Sequence, residues 1–90
     1  MPKALFDFLG YAIYFWIGDE DEPIHVHVSK GHLHPNATKI WMTADGTELA
    51  HNNSKIPDHD LRRIEKYIQQ CRNTIIGTWI TRFGKGELKS

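Results

Sequence analysis

What most constrains the fold is the order in which this chain changes its hydrophobic period. Up to residue 51, apolar and polar side chains alternate in short runs, and after Pro57 the spacing switches to three and four. Alternation at two is the signature of strands with one buried face, and spacing at three and four is that of a helix with one buried stripe. Strands therefore come first and helix last. With no helix between strands there is no crossover unit to build a parallel sheet. The expected class is α+β: an antiparallel meander of four or five strands, followed by one long C-terminal helix packed on one face. Ninety residues make a single domain, residues 1–90, with 85–90 expected as a loose tail.

The elements can be placed by their residues. Phe6, Phe8 and Leu9 form a short extended start before a turn at Gly10. Residues 11–17 read as a strand with Tyr11, Ile13, Phe15 and Ile17 on one side and Ala12, Tyr14 and Trp16 on the other. A turn follows at 18–23, carrying the acidic run Asp19, Glu20, Asp21 and Glu22. Residues 24–28 form the second long strand, 32–36 a polar loop, and 37–43 a third strand with Ile40 and Met42 opposite Lys39 and Trp41. Asp45-Gly46 is a strong hairpin signal before a short return strand at 47–51. Pro57 and the acids Asp58 and Asp60 suit the first turn of a helix. Its stripe is Leu61, Ile64, Ile68, Cys71, Ile75 and Trp79, its wet face Arg62, Lys66, Gln69 and Asn73. Gly77 is the expected weak point and Gly84 the expected stop.

Composition narrows the function classes. No apolar run approaches the roughly 18 residues of a membrane helix, and no secretory leader is expected at the start. A single cysteine excludes an internal disulfide framework and a Cys-rich zinc site, so the expected compartment is the reducing cytoplasm. Formal net charge is zero, but residues 1–50 hold three basic and seven acidic side chains, a net of −4, and residues 51–90 hold eight and four, a net of +4. A basic half suits a polyanion; equally, the two halves can attract one another, or the same composition can serve a self-associating dimer. The zero total argues against strong non-specific nucleic-acid binding, which scales with phosphates neutralised. Arg62, Arg63 and Lys66 read as a solvated helix face, and Asn52, Asn53 and Ser54 as a turn before the helix.

The pattern with chemical potential is Ile24-His25-Val26-His27-Val28. On a strand the two histidines point to one side and the aliphatic residues to the other. If the valines face the helix, both imidazoles stand on the open face with Cβ atoms about 6.5–7 Å apart. That spacing suits an acid and a base flanking one substrate atom, or two ligands of one divalent metal ion. His51 on the return strand is the candidate third ligand, with His32 or His34 in the loop as alternatives. A carboxylate from the 19–22 run is placed to hydrogen-bond an imidazole and orient it. The plainer reading, two strand histidines each bonded to a neighbour, stays open beside these. No other cofactor is implied, and no phosphate loop or nucleophile elbow is present.

The run Glu22-Pro23-Ile24-His25-Val26-His27-Val28, after an aromatic strand and before a sheet and terminal helix, resembles the bacterial family of unknown function DUF4160. The hallmark of that family is a Pro-His-x-His-Val segment, and here Ile24 stands between Pro23 and His25. Phe8-Leu9-Gly10-Tyr11, Ile13-Tyr14-Phe15-Trp16, Asn52-Asn53-Ser54-Lys55-Ile56-Pro57 and Trp79 look similar to members as well, so the resemblance spans nearly the whole chain. It implies a small bacterial protein encoded beside a second small protein. Some members belong to the DhiT-like group of type II toxin–antitoxin toxins, which implies an antitoxin-like cognate partner. Only His25 and His27 match the histidine motif, and the loop 32–36 is longer than in compact members, so nothing carries over to His32 or His34.

Two functions follow as expectations. One is an interaction component of a two-protein operon, toxin-like, working with a small cognate partner or as a homodimer. The other is a small hydrolase, most simply an RNase, with His25 and His27 as acid and base and Lys55 or Arg62 steadying charge.

Overall fold

A computed structural model describes residues 4–16 and 18–90. Five strands form one antiparallel sheet in chain order: β1 (Ala4–Phe8), β2 (Tyr11–Tyr14), β3 (His25–Ser29), β4 (Thr38–Thr43) and β5 (Gly46–His51). Two helices follow, α1 (Asp58–Gln70) and α2 (Arg72–Phe83). The α+β class and the meander are those expected from the switch of period. The expectation for Ile17 falls outside the described residues.

The strand registers put the side chains where alternation predicts. Ile13 pairs with Val28, and Val26 with Ile40, and these face the helices fully buried. Leu61, Ile64 and Ile68 of α1 and Ile75 and Trp79 of α2 close over them as one core. β1 and β2 are joined by Leu9 and Gly10 alone, at φ 54° and 81°. Two positive φ values in a two-residue connection make the turn whose twist matches the strands it joins.

The single long helix is the expectation the structure corrects. It breaks at Cys71, at φ −95° and ψ 11°, and not at Gly77, which lies within α2. Both sides of the break are anchored to the β4–β5 hairpin. Gln69 donates to Thr47 Oγ1 at 3.1 Å, and Arg72 donates to the Gly46 carbonyl at 2.9 Å. The ladder stays in step across it: Cys71 N–H is shared between the Tyr67 and Ile68 carbonyls, and Ile75 N–H donates to Cys71 O. The apolar spacing therefore runs through the break, and the stripe reads as one helix.

Two irregular segments complete the scaffold. The 52–56 loop is a clasp and uses its own polar groups. Asn52 Oδ1 accepts from Thr38 Oγ1 and Ile56 N–H, and Ser54 Oγ accepts from Thr38 N–H while donating to Val28 O. The segment 85–90, expected as a loose tail, runs against the sheet. Ile24 N–H donates to Glu87 O, and Lys89 N–H to Met42 O, each at 2.8 Å. Gly86 fits there because it lacks a side chain: a Cβ would stand 2.7 Å from Trp79 Cδ1 and 3.0 Å from Ile24 Cδ1.

These surroundings set opposite outcomes for two glycines. A Cβ on Gly77 meets nothing within 4 Å, so Gly77→Ala should raise stability by about 1 kcal/mol through helix propensity. Gly86→Ala should lower it by about 1–3 kcal/mol, because the buried Trp79 ring has little room to give. Urea unfolding of the two variants checks both; midpoints moving in the same direction would refute the packing described at Gly86.

Candidate functional site

His25 and His27 leave β3 on the side away from α1, as alternation requires. Their cross-strand neighbours there are Trp41 and Lys39 on β4, with Tyr14 of β2 beside His27. The expected open face is not open. His25 is 0% and His27 3% exposed. The connection between β2 and β3 folds back over them through a left-handed Gly18 (φ 96°) and a 3-10 turn at Asp19–Asp21. That loop ties itself down: Asp19 N–H donates to Trp16 O, and Glu22 N–H to Asp19 O. Lys39 is ion-paired with Glu22 across it.

Asp19 is carried into the site by this turn and is 7% exposed. One carboxylate oxygen, Oδ2, accepts from Trp16 N–H at 2.6 Å. The other, Oδ1, faces both imidazoles, 3.2 Å from His25 Nε2 and 3.4 Å from His27 Nε2. The far nitrogen of each ring points at a backbone carbonyl: His25 Nδ1 at Pro23 O, 2.8 Å, and His27 Nδ1 at Ala37 O, 3.5 Å. A carbonyl only accepts, so both Nδ1 atoms carry the proton. Both Nε2 atoms thereby stand beside the carboxylate as bare acceptors, where only a second proton on a ring or a bound cation makes the encounter attractive.

The two imidazoles are not equivalent. His27 Nε2 is aligned with Oδ1 for a hydrogen bond. His25 Nε2 is closer, yet its direction misses the oxygen, and it is buried with no hydrogen-bond partner. The His25 ring is walled by aromatic edges, with Trp41, Trp79 and His27 at centroid distances of 5.3, 5.3 and 5.1 Å. His27 stacks on Tyr14, whose hydroxyl donates to His34 O at 2.8 Å and accepts from His34 N–H.

Burial alone pushes the Asp19 carboxyl up. The close approach of the His25 and His27 imidazoles and the hydrogen bond from the Trp16 amide outweigh it and hold the group far below the usual carboxylate range.

The other sequence candidates lie elsewhere. His51 pairs with Lys39 at the β4–β5 register, and its Nδ1 accepts from Asn53 N–H at 3.4 Å. Burial first, then the charges of Lys39 and His27, lower its pKa. His51 is thus near His27 but outside the cluster, and the position expected for it is taken by Asp19. His32 and His34 contribute backbone atoms, to Ser29 Oγ and Tyr14, and not their rings. Lys55 and Arg62 are exposed on the loop before α1 and on α1. The acidic run signalled the third group, but not which of four carboxylates the turn would invert into the site.

Among the described residues, Asp19, His25 and His27 are the group of donors close enough for one ion. A cleft of about 390 Å³ flanks the covering loop, lined by Glu20, Asp21, Glu22 and Pro23 on one side and Lys85, Gly86 and Glu87 on the other.

The model of a family described as a domain of unknown function, DUF4160, matches residues 10–80. No curated protein and no solved structure matches the chain significantly.

Asp19→Asn keeps the shape and removes the charge, so it should cost about 3 kcal/mol at neutral pH, the scale for breaking a buried pair. A folded carboxyl with depressed pKa supplies stability that is complete above the ordinary aspartate value of 3.8 and is lost as pH falls below it toward the folded value. The gap between wild type and Asp19→Asn in urea unfolding should therefore close in acid; a gap independent of pH would show that the charge is not the source.

Proposed function

Since the chain belongs to the DUF4160 family, we propose that it works as an interaction component: a small toxin-like member of a two-protein operon in the bacterial cytoplasm, joined to a small cognate partner. The observation that carries this reading is the uncovered edge of β5. The sheet order leaves β5 paired on one side only among the described residues, and Glu48, Leu49 and Ala50 on it are exposed. An exposed edge with few charges is a template for an added strand, and backbone bonds to it supply affinity with little demand on side-chain chemistry. No helix of the described residues is long and apolar enough to cross a membrane.

The converging imidazoles favour a second reading, a small hydrolase or RNase using His25 and His27 as acid and base. Two facts weigh against it. Both rings are buried beneath the 18–23 loop, where Asp19 Oδ1 stands 3.2 and 3.4 Å from their Nε2 atoms. The adjacent cleft carries four carboxylates and one lysine, which repels a polyanionic substrate. Nucleic acid is therefore the weaker partner class.

The test is growth and copurification. Expressed alone, the protein should arrest growth. Coexpression with the product of the adjacent small gene should relieve the arrest and yield a complex. Ala50→Lys should weaken that complex about tenfold or more while leaving the unfolding midpoint within the range of a surface change. Unimpaired growth, or a complex indifferent to Ala50→Lys, would sink the interaction reading. Arrest that disappears with His25→Ala and His27→Ala in a folded protein would favour the hydrolase.

A further inference from the structure

We propose that Asp19, His25 and His27 form a binding site for one divalent first-row transition ion, zinc by donor set and geometry. Three features carry this, and none depends on the interaction reading.

The first is the separation of the donor atoms. Around a tetrahedral centre with metal–ligand bonds of about 2.1 Å, neighbouring donors stand about 3.4 Å apart. Asp19 Oδ1 lies 3.2 Å from one Nε2 and 3.4 Å from the other, and all three atoms are within 4.8 Å of one another.

The second is the direction of His25 Nε2. A ligand aims at its ion and stands about 35° off the line to a neighbouring donor; His27 Nε2 keeps to the line to Oδ1, whereas His25 Nε2 is turned off it. His25 Nε2 is fully buried, approaches Oδ1 more closely than His27 does, and still misses hydrogen-bond alignment with it. A proton shared between the His25 ring and the carboxylate would demand the alignment that is missing there. A cation beside both atoms would not.

The third is the outer layer. In metal sites the non-ligating ring N–H is held by a carbonyl or carboxylate, which fixes the tautomer and the ring plane. Pro23 O and Ala37 O face the two Nδ1 atoms, and Trp16 N–H holds the carboxylate oxygen that faces away from the rings. Two imidazoles and one carboxylate are a donor set suited to zinc, and three protein ligands are one fewer than a closed structural zinc site uses.

The test uses the full chain without a histidine tag, stripped with a chelator and titrated with zinc against a chromophoric competitor, then with cobalt. One ion per chain should bind with a Kd below ~10 µM. Cobalt should give the visible absorption of a tetrahedral site. The unfolding midpoint should rise by about 10 °C at a hundredfold excess of zinc over Kd. Asp19→Asn and His27→Gln should each weaken binding at least ~10-fold, the lower end for disturbing a metal's surroundings. His51→Ala and His59→Ala should bind as the wild type does. Because the first two variants also lose a buried partner, nitrogen NMR of the wild type supplies an independent reading: zinc should move the ring nitrogens of His25 and His27 and leave that of His59 in place. Wild-type binding weaker than the stated Kd overturns the site. So does affinity unchanged in folded Asp19→Asn or His27→Gln, affinity lost in His51→Ala, or zinc shifts absent from His25 and His27.

Discussion

One buried anion organises the outer face of the sheet. The Asp19 carboxylate meets two imidazoles through one oxygen and its own loop through the other. A second proton on a ring, or a cation, beside the carboxylate turns this meeting of buried acceptors into an attraction. With it, the 18–23 loop has a reason to fold back over β3. The burial of His25 and the position of Pro23 follow from where that loop sits, while Trp41 of β4 and Trp79 of α2 wall the ring from their own elements.

The two faces of the sheet therefore solve different problems. The helix side is an ordinary apolar layer, in which Ile13, Val26, Ile40, Ile64 and Ile68 have no exposure at all. The other side buries polar groups under a short loop and satisfies them by charge and direction. The clasp at 52–56 works in the same way on a smaller scale, with Asn52 and Ser54 saturating the backbone at the start of β4 and the end of β3. Burying polarity this way limits which register the strands can take, since a one-residue slip of β3 would send both imidazoles into the aliphatic layer.

Much of this architecture was legible in the residues. Alternation placed His25 and His27 on one side and Val26 and Val28 on the other, because a strand's period leaves no alternative. The stripe from Leu61 to Trp79 identified the helical layer, because burial follows its spacing. What spacing could not reveal was the break at Cys71, which preserves the period and depends on distant anchors at Gly46 and Thr47. Nor could it show that the histidine face is roofed. That depends on Gly18 reversing the chain, and a left-handed glycine in an acidic run is compatible with many loop paths. His51 was a reasonable third ligand by strand order; it stands beside His27's neighbour Lys39, one strand too far.

The contact of residues 86–89 with Ile24 and Met42 has a consequence for how the chain comes into being. Those residues are made after every strand and both helices, yet Glu87 satisfies the amide just ahead of β3 and Gly86 lies on the Trp79 ring. The ribosomal tunnel still encloses most of both helices when these residues are joined, so the strands emerge first and the helices and the 86–89 segment close over them together. Until then the apolar face of the sheet is what chaperones and proteases meet on the nascent protein.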